Sequence, residues 1–315
     1  MRINNNITAI NSHRNYNINN GNIGKNMEKL SSGFRVNRAA DDAAGLAISE
    51  KMRAQIRGLN MSSKNSQDAV SLVQTAEGGM QTIQDILQRM RELAVQSASD
   101  TNQNEVDREA LQLELAELAS EIDEIADTTE FNKMRLLHGT GGTATTLANG
   151  DKVSEFIIQT GANHGQTMSI SINAMTLAGL GVQVATGTDP DLNFGVDPTW
   201  AVDGEVAAGA ERATTRIHVG SREAAATTVA LLDRALNCVS MQRAQLGAFQ
   251  NRLEFKISNL NNQAENVAAS ESRIRDADMA KMMTEFTKNN ILFQASTAML
   301  SQANALPQGV LQLLG

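Results

Sequence analysis

The residue types that could perform chemistry are few and scattered along the 315 residues. His13, His138, His164 and His218 lie far apart, and none opens a His-Glu-x-x-His zinc motif. Cys238 is the single cysteine, and no Cys-His signature surrounds it. In the helical-looking stretch 236–239 it is expected to be a small buried residue rather than a nucleophile. We therefore predict no catalytic residues, no metal site and no enzyme activity.

Two further motifs imitate ligand-binding loops without completing them. The Asp-x-Asn-x-Asn run at 100–104 resembles the start of a calcium loop, but Glu105 stands where the loop needs Gly and Leu111 where it needs Glu. The run 139–142 lacks both the third spaced glycine of a dinucleotide loop and a Lys-Ser/Thr ending. Both stretches are better interpreted as turns, so we predict no cofactor.

Composition excludes several classes of partner. The net charge of -8 argues against a protein that binds nucleic acid through a basic face. No run of 18 apolar residues is present, so we expect no membrane insertion. The stretch 1–16 is rich in Asn and lacks the apolar core of a secretory signal. Taken alone, composition would allow a cytoplasmic protein.

Two long flanks carry helical patterns that could position such side chains. Between 41 and 99 apolar residues recur every three or four positions, and a second seam follows at 111–125. The last flank, 223–306, repeats the pattern, and we expect Pro307 to end its helix. A long helix with one apolar stripe is not stable alone, so the two flanks are predicted to pair antiparallel.

The middle of the chain, about 138–222, has a different pattern. Gly, Thr and Ala become frequent, and 168–172 alternates apolar and polar residues with the period of a strand. The apolar run 156–158 precedes a Gly-containing loop at 161–165, which predicts a hairpin. The predicted fold class is therefore mainly α, with long antiparallel coiled-coil-like helices from both termini and a small β-hairpin region in the middle.

Several ordered blocks stand at the two ends of the chain: 30–37 followed by 41–48, then 88–97, 246–253, 272–280, and the ending 302–314. These blocks resemble the signatures of bacterial flagellins. The resemblance covers roughly 1–172 and 223–315.

The resemblance implies a structural subunit that polymerises into the bacterial flagellar filament for swimming motility. It implies an inner coiled-coil domain from 1–40 plus 275–315, and a helical rod domain with the β-hairpin from 41–175 plus 223–274. Residues 176–222 would form a short variable surface insert. It also implies export through the flagellar type III apparatus to the extracellular filament. Expected partners are identical subunits, an export chaperone at the C-terminal segment, and the filament cap and hook-associated proteins.

Residue chemistry explains why such a chain would polymerise. The terminal seams cannot all be covered within one chain, and stacking identical copies would bury them. Ten of residues 1–26 are Asn, a poor helix former, so this segment is expected to order only when neighbours pack on it. The residues predicted to pack the filament core are Ile3, Ile7, Ile10, Met279, Met283, Phe286, Phe293, Leu300, Leu306, Val310 and Leu313.

The family resemblance also implies a patch like the one bound by animal Toll-like flagellin receptors. An Arg beside an apolar anchor is the usual composition of a binding hot spot. The alternative is that these residues belong to the helix seam or to a contact between subunits. The patch comprises Gln88, Arg89, Arg91, Glu92, Leu93 and Val95, with Glu114 on the adjacent helix.

Two segments have opposite charge. Residues 100–130 carry eleven acidic residues and one Arg, whereas 51–64 carry four basic residues and no acid. They could be two solvated faces, or complementary surfaces of neighbouring copies that set the register of packing.

Three other functions compete with the filament subunit. A hook–filament junction protein would share similar termini, although the blocks at 272–280 and 306–314 favour flagellin. An enzyme on a coiled-coil frame lacks a catalytic constellation. A cytoplasmic coiled-coil scaffold is what composition alone would suggest.

Overall fold

The computed structural model describes residues 6–99, 107–141, 143–146, 152–184 and 215–314. The incomplete calcium-like motif at 100–104, most of the predicted insert and Ile3 lie outside these residues. The chain forms two compact units, one from 1–58 with 262–315 and the other from 59–261. The first of these units is larger than the inner domain of 1–40 plus 275–315 that the flagellin resemblance implies.

The described residues form five α-helices, as the apolar periodicity of both flanks predicts. Asn6 caps the first helix, since its side chain accepts a hydrogen bond from the Ala9 N–H at 3.1 Å. Gly33 ends that helix at φ 74°, a left-handed conformation that Gly adopts without a Cβ clash. The helices are α1 (Ile7–Ser32), α2 (Ala43–Ser97), α3 (Asp107–Thr128), α4 (Arg222–Arg275) and α5 (Met279–Leu314).

Short strands occupy the middle of the described chain. The strands are β1 (Glu130–Phe131), β2 (Met134–Arg135), β3 (Thr143–Thr146), β4 (Lys152–Gln159), β5 (Thr167–Asn173), β6 (Val182–Val184) and β7 (Thr215–Ile217). β1 pairs antiparallel with β2, and β6 pairs parallel with β7. The antiparallel sheet β3-β4-β5 contains the predicted hairpin, in which Phe156 pairs with Ile170 and Ile158 pairs with Met168. The hairpin prediction is therefore confirmed.

The core of the 59–261 unit is a stripe along α2 covered by α3, α4 and the hairpin. Its α2 members recur at helical spacing and are buried, as the apolar periodicity between 41 and 99 predicts. Aliphatic side chains supply almost all of this core, in line with the low aromatic content. Its central side chains include Met80, Ile83, Leu87, Met90, Leu115, Ile122, Ile170, Ile172, Leu232, Val239, Leu246 and Leu253.

The terminal helices α1 and α5 pack antiparallel within the other unit. The rings of Tyr16 and Phe293 lie 5.0 Å apart, and Asn19 Nδ2 donates to Ser296 Oγ at 2.8 Å. Asn6 Nδ2 donates to the Ala303 carbonyl at 2.7 Å. Pairing of the two ends therefore follows the prediction, and Asn side chains supply part of the contact.

Two sequence predictions need correction. Cys238 is exposed rather than buried, because the buried stripe of α4 runs through Leu232, Ala235 and Val239 and leaves position 238 outside it. Pro307 does not end the last helix, since α5 continues to Leu314. A proline removes the N–H that would bond to the carbonyl four residues earlier, and that carbonyl, of Ala303, instead accepts from Asn6.

Candidate assembly surfaces

The paired terminal helices leave large apolar side chains uncovered. Ile7 and Ile10 are 62% and 63% exposed, and Met279 and Met283 are about half exposed. Phe286, Phe293 and Leu300 are half-buried. The side chains of Leu306, Val310 and Leu313 lie outside the described part of the structure, as does all of Ile3.

Further exposed apolar side chains of these helices, outside the set predicted to pack the filament core, include Ile18, Met27 and Leu292. The sequence does contain a signal for such exposure, because a helix with apolar residues on several faces must be covered on more than one side. Contiguous exposed apolar surface of this kind marks an interaction site. The antiparallel pair α1–α5 is therefore a half-covered apolar surface and a candidate for assembly.

A polar joint closes the end of this helix pair. The Arg35 N–H donates to the Arg275 carbonyl at 2.7 Å, and the Ala277 N–H donates to the Gly33 carbonyl at 2.9 Å. The Arg275 guanidinium lies 4.6 Å from the centroid of the Phe34 ring. It also donates to Glu50 at 2.7 Å, and this bond lowers the pKa of the Glu50 carboxyl.

The loop between α1 and α2 has its own carboxylate cap. The Asp41 carboxylate accepts from the backbone N–H groups of Arg38 and Asn37, which lowers the pKa of Asp41. The Asp42 carboxylate accepts from the Gly45 N–H at 2.9 Å at the start of α2. The motif that resembles flagellin signatures thus forms a set of caps and turns in this loop.

The residues of the predicted receptor patch are only partly brought together: Arg89, Glu92 and Glu114 meet where α3 packs on α2, whereas Arg91 pairs with Asp233 of α4 at 2.6 Å. Arg89 Nη2 lies 2.8 Å from Glu114 Oε1, and Arg89 Nη1 lies 3.2 Å from Glu92 Oε2. These carboxylates raise the pKa of Arg89. Gln88, Arg91 and Val95 are also exposed.

Leu93 was expected on the surface, but its side chain is buried and only 1% exposed. The helical repeat puts position 93 on the same stripe as the buried Met90 and Ala94. The exposed apolar side chain on α3 is instead Leu113, next to Glu114 and 65% exposed. Leu113 was not predicted from the sequence, although its position off the 111–115–118 seam indicates exposure.

A second surface of the 59–261 unit lies where α4 passes the hairpin. Phe255 is 78% exposed there, between the exposed side chains of Arg252 and Lys256. These three residues and Asn259 border an open cleft of about 400 Å³ whose other side includes Thr160 and Thr167. This site could not be predicted from the sequence, because its members belong to two segments far apart in the chain.

The oppositely charged segments both face solvent. Lys51, Arg53, Arg57 and Lys64 are exposed on α2, and Arg53 pairs with Glu50 at 3.2 Å. On α3, Glu117, Glu121 and Glu124 are exposed.

Among the described residues, no group of three His, Cys, Asp or Glu side chains is arranged to hold a metal ion. No described helix is both long and apolar enough to cross a membrane.

Comparison with known proteins points to one family. Residues 3–141 match the family model described as the bacterial flagellin N-terminal helical region, and residues 229–314 match the bacterial flagellin C-terminal helical region. The chain is 50% identical to the flagellin of Bacillus subtilis (strain 168) over 315 residues, which covers 100% of both chains. It is 44% identical to the flagellar filament 33 kDa core protein of Treponema phagedenis over 314 residues, again 100% of both.

A solved structure shares the fold. A Vibrio parahaemolyticus protein described as flagellar hook-associated has a TM-score of 0.52 and 13% identity, over 75% of this chain and 100% of that one. At this identity the likeness shows the fold alone and gives no support to the hook–filament junction alternative.

Proposed function

The chain belongs to the bacterial flagellin family, and we propose that its half-covered α1–α5 pair is the surface through which identical subunits assemble into the flagellar filament. Within that family the chain is a filament subunit with a structural role. The observation that carries the assembly surface is the exposure of Ile7, Ile10, Met279 and Met283 on helices that already pack on each other. Stacked copies would bury these side chains. Burial stabilises the assembly by about 25 cal/mol for each Å² of apolar surface removed from water.

The filament-core set extends this proposal residue by residue. Ile7, Ile10, Met279 and Met283 would contact neighbouring copies directly. Phe286, Phe293 and Leu300 would be shared between the α1–α5 contact and the neighbours, since they are half-buried. Ile3, Leu306, Val310 and Leu313 complete the proposed set on the ground of sequence alone.

We retain the predicted domain division as part of the proposal. Residues 1–40 with 275–315 would form the inner domain, and 41–175 with 223–274 the rod. Its support is the polar joint at Phe34, Arg35 and Arg275, which lies at the proposed boundary. Residues 176–222 would be the variable surface insert.

Assembly of purified subunits tests the proposal. Monomers added to short filament seeds are expected to elongate them into long helical filaments visible by electron microscopy. The paired change Ile10→Asp with Met283→Asp is expected to abolish elongation, because each buries a carboxylate in the proposed contact. Exposed Met134 serves as a matched control, and Met134→Asp should elongate normally. Normal elongation by the double variant would contradict the assembly surface.

Other partners follow from the same family. We propose export through the flagellar type III apparatus to the extracellular filament, with a chaperone that covers the apolar C-terminal helix α5 until assembly. The filament cap and hook-associated proteins would contact the two ends of the polymer. We propose a structural protein with no enzymatic activity.

The receptor-like patch is also kept as a proposal, with its composition revised. Gln88, Arg89, Arg91, Glu92, Val95 and Glu114 would contact an animal Toll-like flagellin receptor. Leu93 would act from beneath, by fixing the position of this face of α2. Leu113 is the exposed apolar side chain available beside Glu114.

A further inference from the structure

The exposed ring of Phe255 sits between two cations on one side of α4. Arg252 lies three residues before Phe255 and four before Lys256, so the three side chains project toward the same side. Within the described part of the chain, Lys256 has no ion pair, and the Arg252 guanidinium lies 5.8 Å from the Phe249 ring. We name Arg252, Phe255 and Lys256 the α4 patch. An aromatic side chain 78% exposed beside two cations fits an acidic partner with an apolar anchor.

The exposed side of α3 has the complementary composition. Leu113, Glu117 and Glu121 follow one another at spacings of four, so they form one row on the helix. Leu113 is 65% exposed, and the two glutamates are exposed without an ion pair among the described residues. We name these three residues the α3 ridge. It offers one apolar side chain and two carboxylates to a patch that has one ring and two cations.

The patch and the ridge cannot meet within one chain. The Ser63 hydroxyl donates to Asn261 at 3.0 Å, and Arg89 pairs with Glu114, so both α4 and α3 are fixed in register along α2. In these registers the patch and the ridge lie at levels roughly 20 Å apart along α2, at 1.5 Å per residue. A second copy displaced along the helix axis would bring the two to the same level.

We infer that the α4 patch of one subunit docks on the α3 ridge of a second copy in the filament. Phe255 packs on Leu113, while Arg252 and Lys256 face Glu117 and Glu121. This contact deepens the proposed function, on which it rests, by assigning a specific charged contact outside the terminal helices. It differs from the pairing of segment 51–64 with 100–130 because it takes its cations from α4. Complementary charges at such a contact fix register and exclude shifted packings.

Charge reversal on both sides tests the contact. Arg252→Glu with Lys256→Glu makes the subunit more negative, and Glu117→Lys with Glu121→Lys makes it more positive. Each double variant is expected to raise the monomer concentration needed for seeded elongation by about tenfold or more, since like charges then face each other. An effect of net charge alone would act in opposite directions in the two variants. The quadruple variant restores opposite charges and is expected to elongate at close to the wild-type concentration.

Failure of the quadruple variant to improve on either double variant would overturn the contact. So would normal elongation by the double variants. A third double variant, Arg57→Glu with Lys64→Glu, tests the other pairing. If Glu117→Lys with Glu121→Lys restored elongation of this variant, the α3 ridge would contact segment 51–64 and not the α4 patch. Circular dichroism of the monomers checks folding of every variant. Elongation by the wild type, tested in parallel, separates failure of this contact from failure of the filament function itself.

Discussion

The side chain of Asn6 forms hydrogen bonds with backbone groups that have no partner within their own helices. Asn6 both caps α1, by accepting from the Ala9 N–H, and donates to the Ala303 carbonyl of α5. That carbonyl has no helical donor because residue 307 is proline. One amide side chain therefore satisfies backbone groups of both helices, including the carbonyl that the proline leaves without a helical donor.

Replacing Asn6 with Asp should test this arrangement, because Asp keeps the capping oxygen and loses the donor. In assembled filaments, amides near Ala303 are expected to exchange hydrogen roughly fivefold faster, as loss of about 1 kcal/mol predicts. In a Pro307→Ala background, which restores the helical N–H, the same change should have a smaller effect. Equal effects in the two backgrounds would show that the Asn6 bond does not compensate for the proline.

The receptor proposal also belongs to single residues. Arg89→Ala removes both carboxylate contacts of an exposed side chain, so we expect weaker signalling by monomers in receptor-expressing cells with unchanged folding. Arg135→Ala removes a comparable exposed ion pair with Asp127 and should leave signalling unchanged. Intact filaments should not signal if the surface is also used in subunit packing. An unchanged response to folded Arg89→Ala monomer would remove the receptor proposal and leave the filament function untouched.

At the scale of elements, α2 depends on close approach by its neighbours. A Cβ at Gly79 would lie 2.7 Å from Thr129 Oγ1 and 2.9 Å from Leu137 Cδ1. A Cβ at the adjacent Gly78 would meet no atom within 4 Å. Only Gly79 therefore needs to lack a side chain, because the segment after α3 packs closely against it, whereas its neighbour Gly78 has free space around it.

Alanine at these two positions should change stability in opposite directions. Gly78→Ala is expected to raise the free energy of unfolding by up to about 1 kcal/mol, because Ala is the better helix former. Gly79→Ala gains the same propensity but crowds Thr129 and Leu137, with an expected net loss of about 1–3 kcal/mol. Denaturant unfolding of the monomer measures both values. A gain at both positions would mean that the neighbouring segment moves away without cost.

At the scale of the whole molecule, the two units bury their apolar residues to different degrees. The 59–261 unit contains a continuous buried core of helix and hairpin side chains. The unit of 1–58 with 262–315 has large exposed apolar side chains on both α1 and α5, and no residue of α1 is buried. Such a difference favours a stable unit in every subunit and terminal helices that depend on neighbours.

We therefore expect free subunits to lose their ends to a protease. Mild digestion of monomer should trim roughly residues 1–40 and 275–315 and leave a stable middle fragment, whereas filaments should resist. Deletion of either end should abolish filaments while the 59–261 unit stays folded. Ends that resist digestion in the monomer would show that their folding is not coupled to assembly.

Sequence by itself determined the helical flanks, the hairpin and the family. Apolar spacing along α2 and α4, alternation at 168–172 and the motifs at both ends are local patterns, and helices and strands follow local periodicity. The Ala303 carbonyl that Pro307 leaves without a helical donor accepts from Asn6, almost the whole chain away, and no local rule contains that partner. Exposure of Cys238 and burial of Leu93 depended on the phase of each helix against its neighbours.

Only the tertiary structure decided which charges and apolar side chains share a surface. The α4 patch lies beside hairpin residues about ninety positions earlier in the chain, and Arg89 meets Glu114 through the packing of α3 on α2. These juxtapositions depend on register between elements, which side-chain packing and long-range hydrogen bonds such as Ser63–Asn261 set. Spacing along one element carries no information about that register, so the sequence determined the elements and packing determined the surfaces.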